Sequence, residues 1–157
     1  MIDQTHLQVG DQAPEISSVD QNGNEFSLQA LQGQKVILYF YPKDDTPGCT
    51  KEACSFRDNW SKLQKQGYTV VGVSPDSARR HQNFINKYEL PFTLIPDQEK
   101  EIINTYGVWG KKKFMGREIT GVLRTTFVID ENGKIEHIIT KVKTAQAANQ
   151  VLDAQEA

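Results

Sequence analysis

The stretch "KVILYFYPKDDTPGCTKEACSFRDNWSKLQKQGYTVVGVSP", residues 35–75, reads in turn as strand, loop, helix and strand. Its opening "KVILYFYP" is an unbroken β-branched and aromatic run ended by Pro42, the pattern of a strand buried on both faces. "CTKEACSFRDNWSKLQKQG" follows as a helix, with Gly67 suited to its C-terminal stop. "YTVVGVSP" is a second buried strand. Alternation of this kind predicts an α/β sheet covered by helices on both faces.

The flanks extend the pattern. Upstream, "APEISSVDQNGNEFSL" carries an Asn22-Gly23 turn between short extended segments and predicts a hairpin. Downstream, "SARRHQNFINKYEL" is an amphipathic helix with Pro91 beyond it, "FTLIPD" a strand and "KEIINTYGV" a short helix. "RTTFVIDENGKIEHIITK" reads as two strands joined across "ENGK", which makes the sheet mixed, and "TAQAANQVLDAQ" closes the chain as a helix. The basic run "GKKKFMG" reads as a solvated loop, and Arg79 and Arg80 as an exposed helix face. At 157 residues, with no repeat or linker-like break, the expectation is one domain over 1–157.

Bulk composition narrows the function classes. A net charge of −2 gives no electrostatic footprint for nucleic acid or for an anionic membrane surface. The longest apolar run, residues 36–41, is far too short to span a bilayer, and "MIDQTHLQVG" has no secretory pattern. The expected compartment is therefore the cytoplasm, where thiols are kept reduced. Cys49 and Cys54, the two cysteines of the chain, are then better suited to catalysis or metal binding than to a structural staple.

Thr46-Pro47 is a helix-start dipeptide: threonine can cap the orphan amides, and proline has no N–H to waste at the first helical position. On that register Cys49 lies in the first turn, beside unpaired N–H groups and the positive end of the helix dipole, where the thiolate is favoured. The dipole supplies only ~0.3–1 kcal/mol. A cation about 4 Å away, at an effective dielectric near 20, supplies roughly 4 kcal/mol, so a cation decides the matter. Lys51, Arg57, Arg117 and Arg124 are the candidates, and spacing does not choose among them.

Cys54 poses a geometric problem. Five helical residues place its Cα some 8–9 Å from that of Cys49, whereas a disulfide needs about 7 Å or less. A bridge between them requires the first turns of the helix to unwind. Packing is the plain alternative for either cysteine. A copper carrier using both thiolates and His137 is a second alternative, although His6, His81 and His137 have no zinc-type spacing. A dithiol oxidoreductase is a third, weakened by the lack of a C-x-x-C motif.

"FYPKDDTPGCT" resembles the peroxiredoxin motif, with Pro42, Thr46 and Cys49 at the matching positions. "PGCTKEAC", with the second cysteine five positions on and Thr50 after the first, is similar to the bacterioferritin comigratory protein branch, also called PrxQ. "YGVWG", "KFMG", "GVLRTTFVID" and "GKIEHI" follow in the family order, so the likeness covers nearly the whole chain. The resemblance implies a thioredoxin-like fold and reduction of hydrogen peroxide or organic hydroperoxides by Cys49. It selects Arg124 as the cation, gives Thr46 a bond to sulfur and peroxide, and gives Glu52 the task of holding the arginine. It implies a Cys49 sulfenic acid resolved by Cys54 to an intramolecular disulfide and recycled by thioredoxin, in a monomer without metal, flavin or haem. Beside it, the residues supply reasons. Gly48 lets substrate approach the backbone, Pro42 directs the loop, and the N–H groups of Gly48 and Cys49 are donors for a leaving oxygen. Tyr39, Trp109 and Phe114 are candidate pocket walls, with core packing as the plain alternative.

Overall fold

The computed structural model describes residues 4–156, with the side chains of Phe114 and Glu156 outside the description. Five strands form the central sheet: β3 (Lys35–Phe40), β4 (Tyr68–Ser74), β5 (Thr93–Pro96), β8 (Thr125–Ile129) and β9 (Ile135–Ile139), in the order β5-β4-β3-β8-β9. β3 runs parallel to β4 and antiparallel to β8, so the sheet is mixed, as the late hairpin predicts. β3 is central because both its faces are apolar. Val36, Leu38 and Phe40 enter one core layer, while Ile37 and Tyr39 enter the other.

The first layer is closed by Ile102 and Ile103 of α4 (Glu101–Thr105) and by Ile16 and Leu28. Ile16 and Leu28 flank the predicted hairpin, β1 (Ser17–Val19) and β2 (Glu25–Ser27), whose turn places Gly23 at φ +82°. On the other face pack Phe56 of α1 (Pro47–Asp58), Leu63 of α2 (Trp60–Lys65), Phe84 of α3 (Ala78–Tyr88) and Val151 of α5 (Ala147–Glu156). Ser77 caps α3 by accepting from the Arg80 N–H, and Gly67 follows α2 at φ +85°.

Three expectations change. The helix expected from Cys49 to Gly67 is two helices broken at Asn59, whose side chain donates back to the Ser55 carbonyl at 2.8 Å. Thr46 precedes α1 but does not cap it with its side chain, because its hydroxyl donates to the Lys43 carbonyl at 2.9 Å. "GKKKFMG" is no loop: it belongs to a separate hairpin of β6 (Trp109–Phe114) and β7 (Arg117–Val122). Met115 and Gly116 turn it with φ of +52° and +78°. Three consecutive lysines hide the alternation by which a strand is read from sequence.

Candidate active site

The end of β3, the start of α1 and the start of β8 meet at one place. Register sets this: Phe40 pairs with Thr125, so Arg124 emerges beside the strand end from which residues 41–46 leave for α1. Pro47 opens α1 and puts Cys49 in its first turn. The Thr50 N–H bonds the Thr46 carbonyl at 2.8 Å, whereas the N–H groups of Gly48 and Cys49 have no intrahelical acceptor.

Of the four candidate cations, Arg124 alone reaches the sulfur. Its Nη2 donates to Cys49 Sγ at 3.3 Å and its Nη1 to Glu52 Oε1 at 2.6 Å. Arg57 turns away to Asp58 and the Tyr88 carbonyl, and Lys51 and Arg117 are exposed. One face of α1 thus presents both hydrogen-bond acceptors of the guanidinium, because Cys49 and Glu52 are three residues apart. A Cβ on Gly48 would lie 3.4 Å from Arg124 Nη2, so that glycine gives the guanidinium room.

The electrostatics follow from burial. The Glu52 side chain is fully buried and that of Arg124 is 23% exposed. Burial pushes the Glu52 carboxyl up to about 7 despite the adjacent guanidinium. For Arg124 burial acts downward, but Glu52 and Cys49 outweigh it and leave its pKa raised. One guanidinium serves two acidic groups. Cys49 is buried, Cys54 is half-buried, and both are free. Burial raises the Cys54 pKa, with Arg57 opposing and Asp58 adding to the rise.

Of the expected pocket walls, Tyr39 lies beneath the site, its ring 4.8 Å from Phe56. Its hydroxyl and Glu52 Oε2 are both buried with no hydrogen-bond partner among the described residues. Gly72 on β4 makes room for it, since a Cβ there would come within 2.9 Å of Tyr39 Cζ. Trp109 packs on the opposite core layer instead, under Lys100.

Sequence reasoning misses a buried polar network under the loop. His81 Nδ1 is 2.6 Å from Asp44 Oδ2, and its Nε2 is 3.1 Å from the Ile95 carbonyl. The Asp44 N–H and the Ser74 hydroxyl donate to Asp76 Oδ2, and Arg80 donates to Asp76 Oδ1. No local signal links residues so far apart in sequence. Asp44, Asp76 and His81 are also the one set among the described residues that gathers three metal-type ligands. Their atoms already satisfy one another, and neither cysteine nor His137 joins them, so the ligand set of a copper carrier is not assembled.

A cysteine at a helix start, in contact with an arginine on a thioredoxin-like mixed sheet, is the setting of a thiol-based oxidoreductase. The chain belongs to the AhpC/TSA family, whose model matches residues 9–138, and it is a peroxiredoxin, a peroxide-reducing enzyme of the bacterioferritin comigratory protein branch. It is 44% identical over 147 residues to Escherichia coli K12 peroxiredoxin Bcp, covering 94% of each chain. It is 52% identical over 137 residues to a bcp-type chain of Coxiella burnetii, covering 87% of this chain and 91% of that protein. The Xanthomonas campestris bacterioferritin comigratory protein, solved in trapped intermediate and ligand complexes bearing on its alkyl peroxide reduction, superposes with a TM-score of 0.84. It is 31% identical, with 98% of each chain covered.

Proposed function

We propose that this chain reduces hydrogen peroxide and organic hydroperoxides through Cys49, with Cys54 as the resolving thiol and thioredoxin as the reductant. The observation that carries the reading is the Arg124 Nη2–Cys49 Sγ contact of 3.3 Å, with the other arm of the guanidinium fixed on Glu52. The alkyl peroxide activity of the Xanthomonas relative supports the organic substrates.

The thiolate attacks one peroxide oxygen, the O–O bond breaks and sulfur becomes a sulfenic acid. The leaving oxygen carries the electron pair and takes a proton to leave as water or alcohol. Arg124 and the N–H groups of Gly48 and Cys49 are placed to stabilise that developing charge. The Thr46 hydroxyl gives its proton to the Lys43 carbonyl, so toward a peroxide O–H it serves as acceptor. Glu52 holds Arg124, Gly48 keeps the guanidinium uncrowded, and Pro42 turns the chain out of β3 toward the loop. The Cys54 thiolate then attacks the Cys49 sulfur and displaces water, forming the disulfide. Both cysteines lie in α1, so this step unwinds the helix. Thioredoxin dithiol returns both thiols. No step requires a metal or organic cofactor.

We further propose a monomer in the cytoplasm. The cytoplasm keeps thiols reduced, as the cycle requires, and no described helix is long and apolar enough to cross a membrane.

Stopped-flow fluorescence from Trp60 and Trp109 tests the cycle. Trp60 lies at the junction beyond α1 with its ring 6.1 Å from that of Phe92, and so reports on unwinding. One equivalent of hydrogen peroxide produces a fast phase linear in peroxide and then a slower, peroxide-independent phase. Cys49→Ser abolishes both, and Cys54→Ser only the slow one. Full multiple-turnover activity with thioredoxin in Cys54→Ser would refute the resolving role.

A further inference from the structure

Within the basic run on β6, Lys111 and Lys113 are exposed, and Lys111 pairs with Glu118 across the hairpin at 3.4 Å. Lys112, on the other face of the strand, is half-buried. Its Nζ donates to the Val122 carbonyl at 2.7 Å, two residues before Arg124. To arrive there it crosses Gly121, where a Cβ would lie 3.4 Å from Lys112 Cε and 3.7 Å from Nζ. Thus β7 contributes a bare backbone surface, and the lysine lies across it toward the segment that delivers the arginine.

We propose that Lys112 is a positioning residue of the peroxide site: bound to Val122 and cradled on Gly121, it steadies the Arg124 segment and adds a second positive charge to the field at the Cys49 sulfur. The inference rests on Cys49 being the reacting thiol. An ammonium has three N–H bonds, and the Val122 carbonyl takes one. Burial lowers the Lys112 pKa, repulsion by Arg124 lowers it further, and attraction to Cys49 opposes both. Arg124 divides its charge between Glu52 and Cys49, so a second cation offsets the share that Glu52 draws away from the sulfur.

A pair of alkylating reagents measures that charge without relying on peroxidase turnover. In the Cys54→Ser background Cys49 is the single thiol, and its rates with anionic iodoacetate and neutral iodoacetamide are compared. Lys112→Met lowers the iodoacetate-to-iodoacetamide ratio about fivefold, as expected for loss of a unit charge beside a partly solvated site. Lys112→Arg keeps the ratio within about twofold of the parent. Gly121→Val, which retains the ammonium and removes its cradle, moves the ratio in the direction of Lys112→Met. A purely structural effect changes both reagents alike and leaves the ratio unmoved. An unchanged ratio in Lys112→Met, or an equal fall in Lys112→Arg with matched melting temperatures, overturns the proposal. One equivalent of peroxide is added to the same Cys54→Ser protein as a separate test. Failure to consume it removes the peroxidase reading while the ratio still reports on Lys112.

Discussion

At the scale of single residues, the site turns on one buried carboxyl. Glu52 has no solvent to support its charge, and its Oε2 finds no donor among the described residues, so its pKa lies near 7 instead of the ordinary 4.5. A carboxyl raised in the folded state binds its proton more tightly there than in the unfolded chain. Its contribution to stability is therefore complete below about pH 4.5 and is lost as pH rises through about 7. A rise from 4.5 to about 7 corresponds to about 3 kcal/mol. Glu52→Gln keeps an oxygen for Arg124 and removes the titration. The expected result from urea unfolding is that the variant gains about 3 kcal/mol on the parent between about pH 4.5 and about pH 7.5. A constant difference across that range would mean that Glu52 ionises as it does in the unfolded chain. Cys49, Thr46, Glu52 and Arg124 are legible in sequence because the family resemblance carries them. The Asp44–His81 contact is not, since no local pattern marks a pair that only the packing of α3 on the loop brings together.

At the scale of elements, the proposed cycle asks α1 to be firm enough to hold Cys49 and weak enough to open. The last turn of α3 grips it at both ends. Lys87 and the Tyr88 hydroxyl bind the Asp45 carboxylate, two residues before α1, while Arg57 near its far end donates to the Tyr88 carbonyl at 2.8 Å. Asp45 itself sits at φ +57°, a left-handed conformation that these contacts maintain. Tyr88→Phe removes one grip and leaves the ring in its core contact with Phe84. The peroxide-independent phase should then quicken roughly fivefold, the effect of about one hydrogen bond, with the peroxide-dependent phase unchanged. An unaltered slow phase would place the barrier in the chemistry of Cys54 rather than in helix opening. Alternation of strands and helices is readable throughout the chain, and the β6–β7 hairpin is the exception. Its strands pair only with each other, so neither carries the buried apolar run that announces a core strand.

At the scale of the whole molecule, the sheet and the helical layer are expected to respond differently to oxidation. β3, β4 and β8 are bonded on both edges, and their side chains are buried in two core layers. α1 touches that structure through Ala53 and Phe56, and it meets α5 where the Ser55 hydroxyl accepts from the Ala148 N–H at 3.1 Å. Opening α1 to bring Cys49 and Cys54 together therefore exposes Phe56 and loosens α5, while leaving the sheet intact. Losing the burial of a core phenylalanine costs about 3–5 kcal/mol. The short loop closed by the disulfide returns only ~2 kcal/mol. The oxidised protein is thus expected to be less stable by about 1–3 kcal/mol, and to melt about 5 °C below the reduced protein. Amide exchange locates the change: protection falls over residues 46–58 and 147–156 on oxidation, and holds in β3, β4 and β8. If the disulfide form instead melts higher with α1 fully protected, the two sulfurs bridge without unwinding. The helix geometry that separates Cys49 from Cys54 would then have to yield by some other distortion.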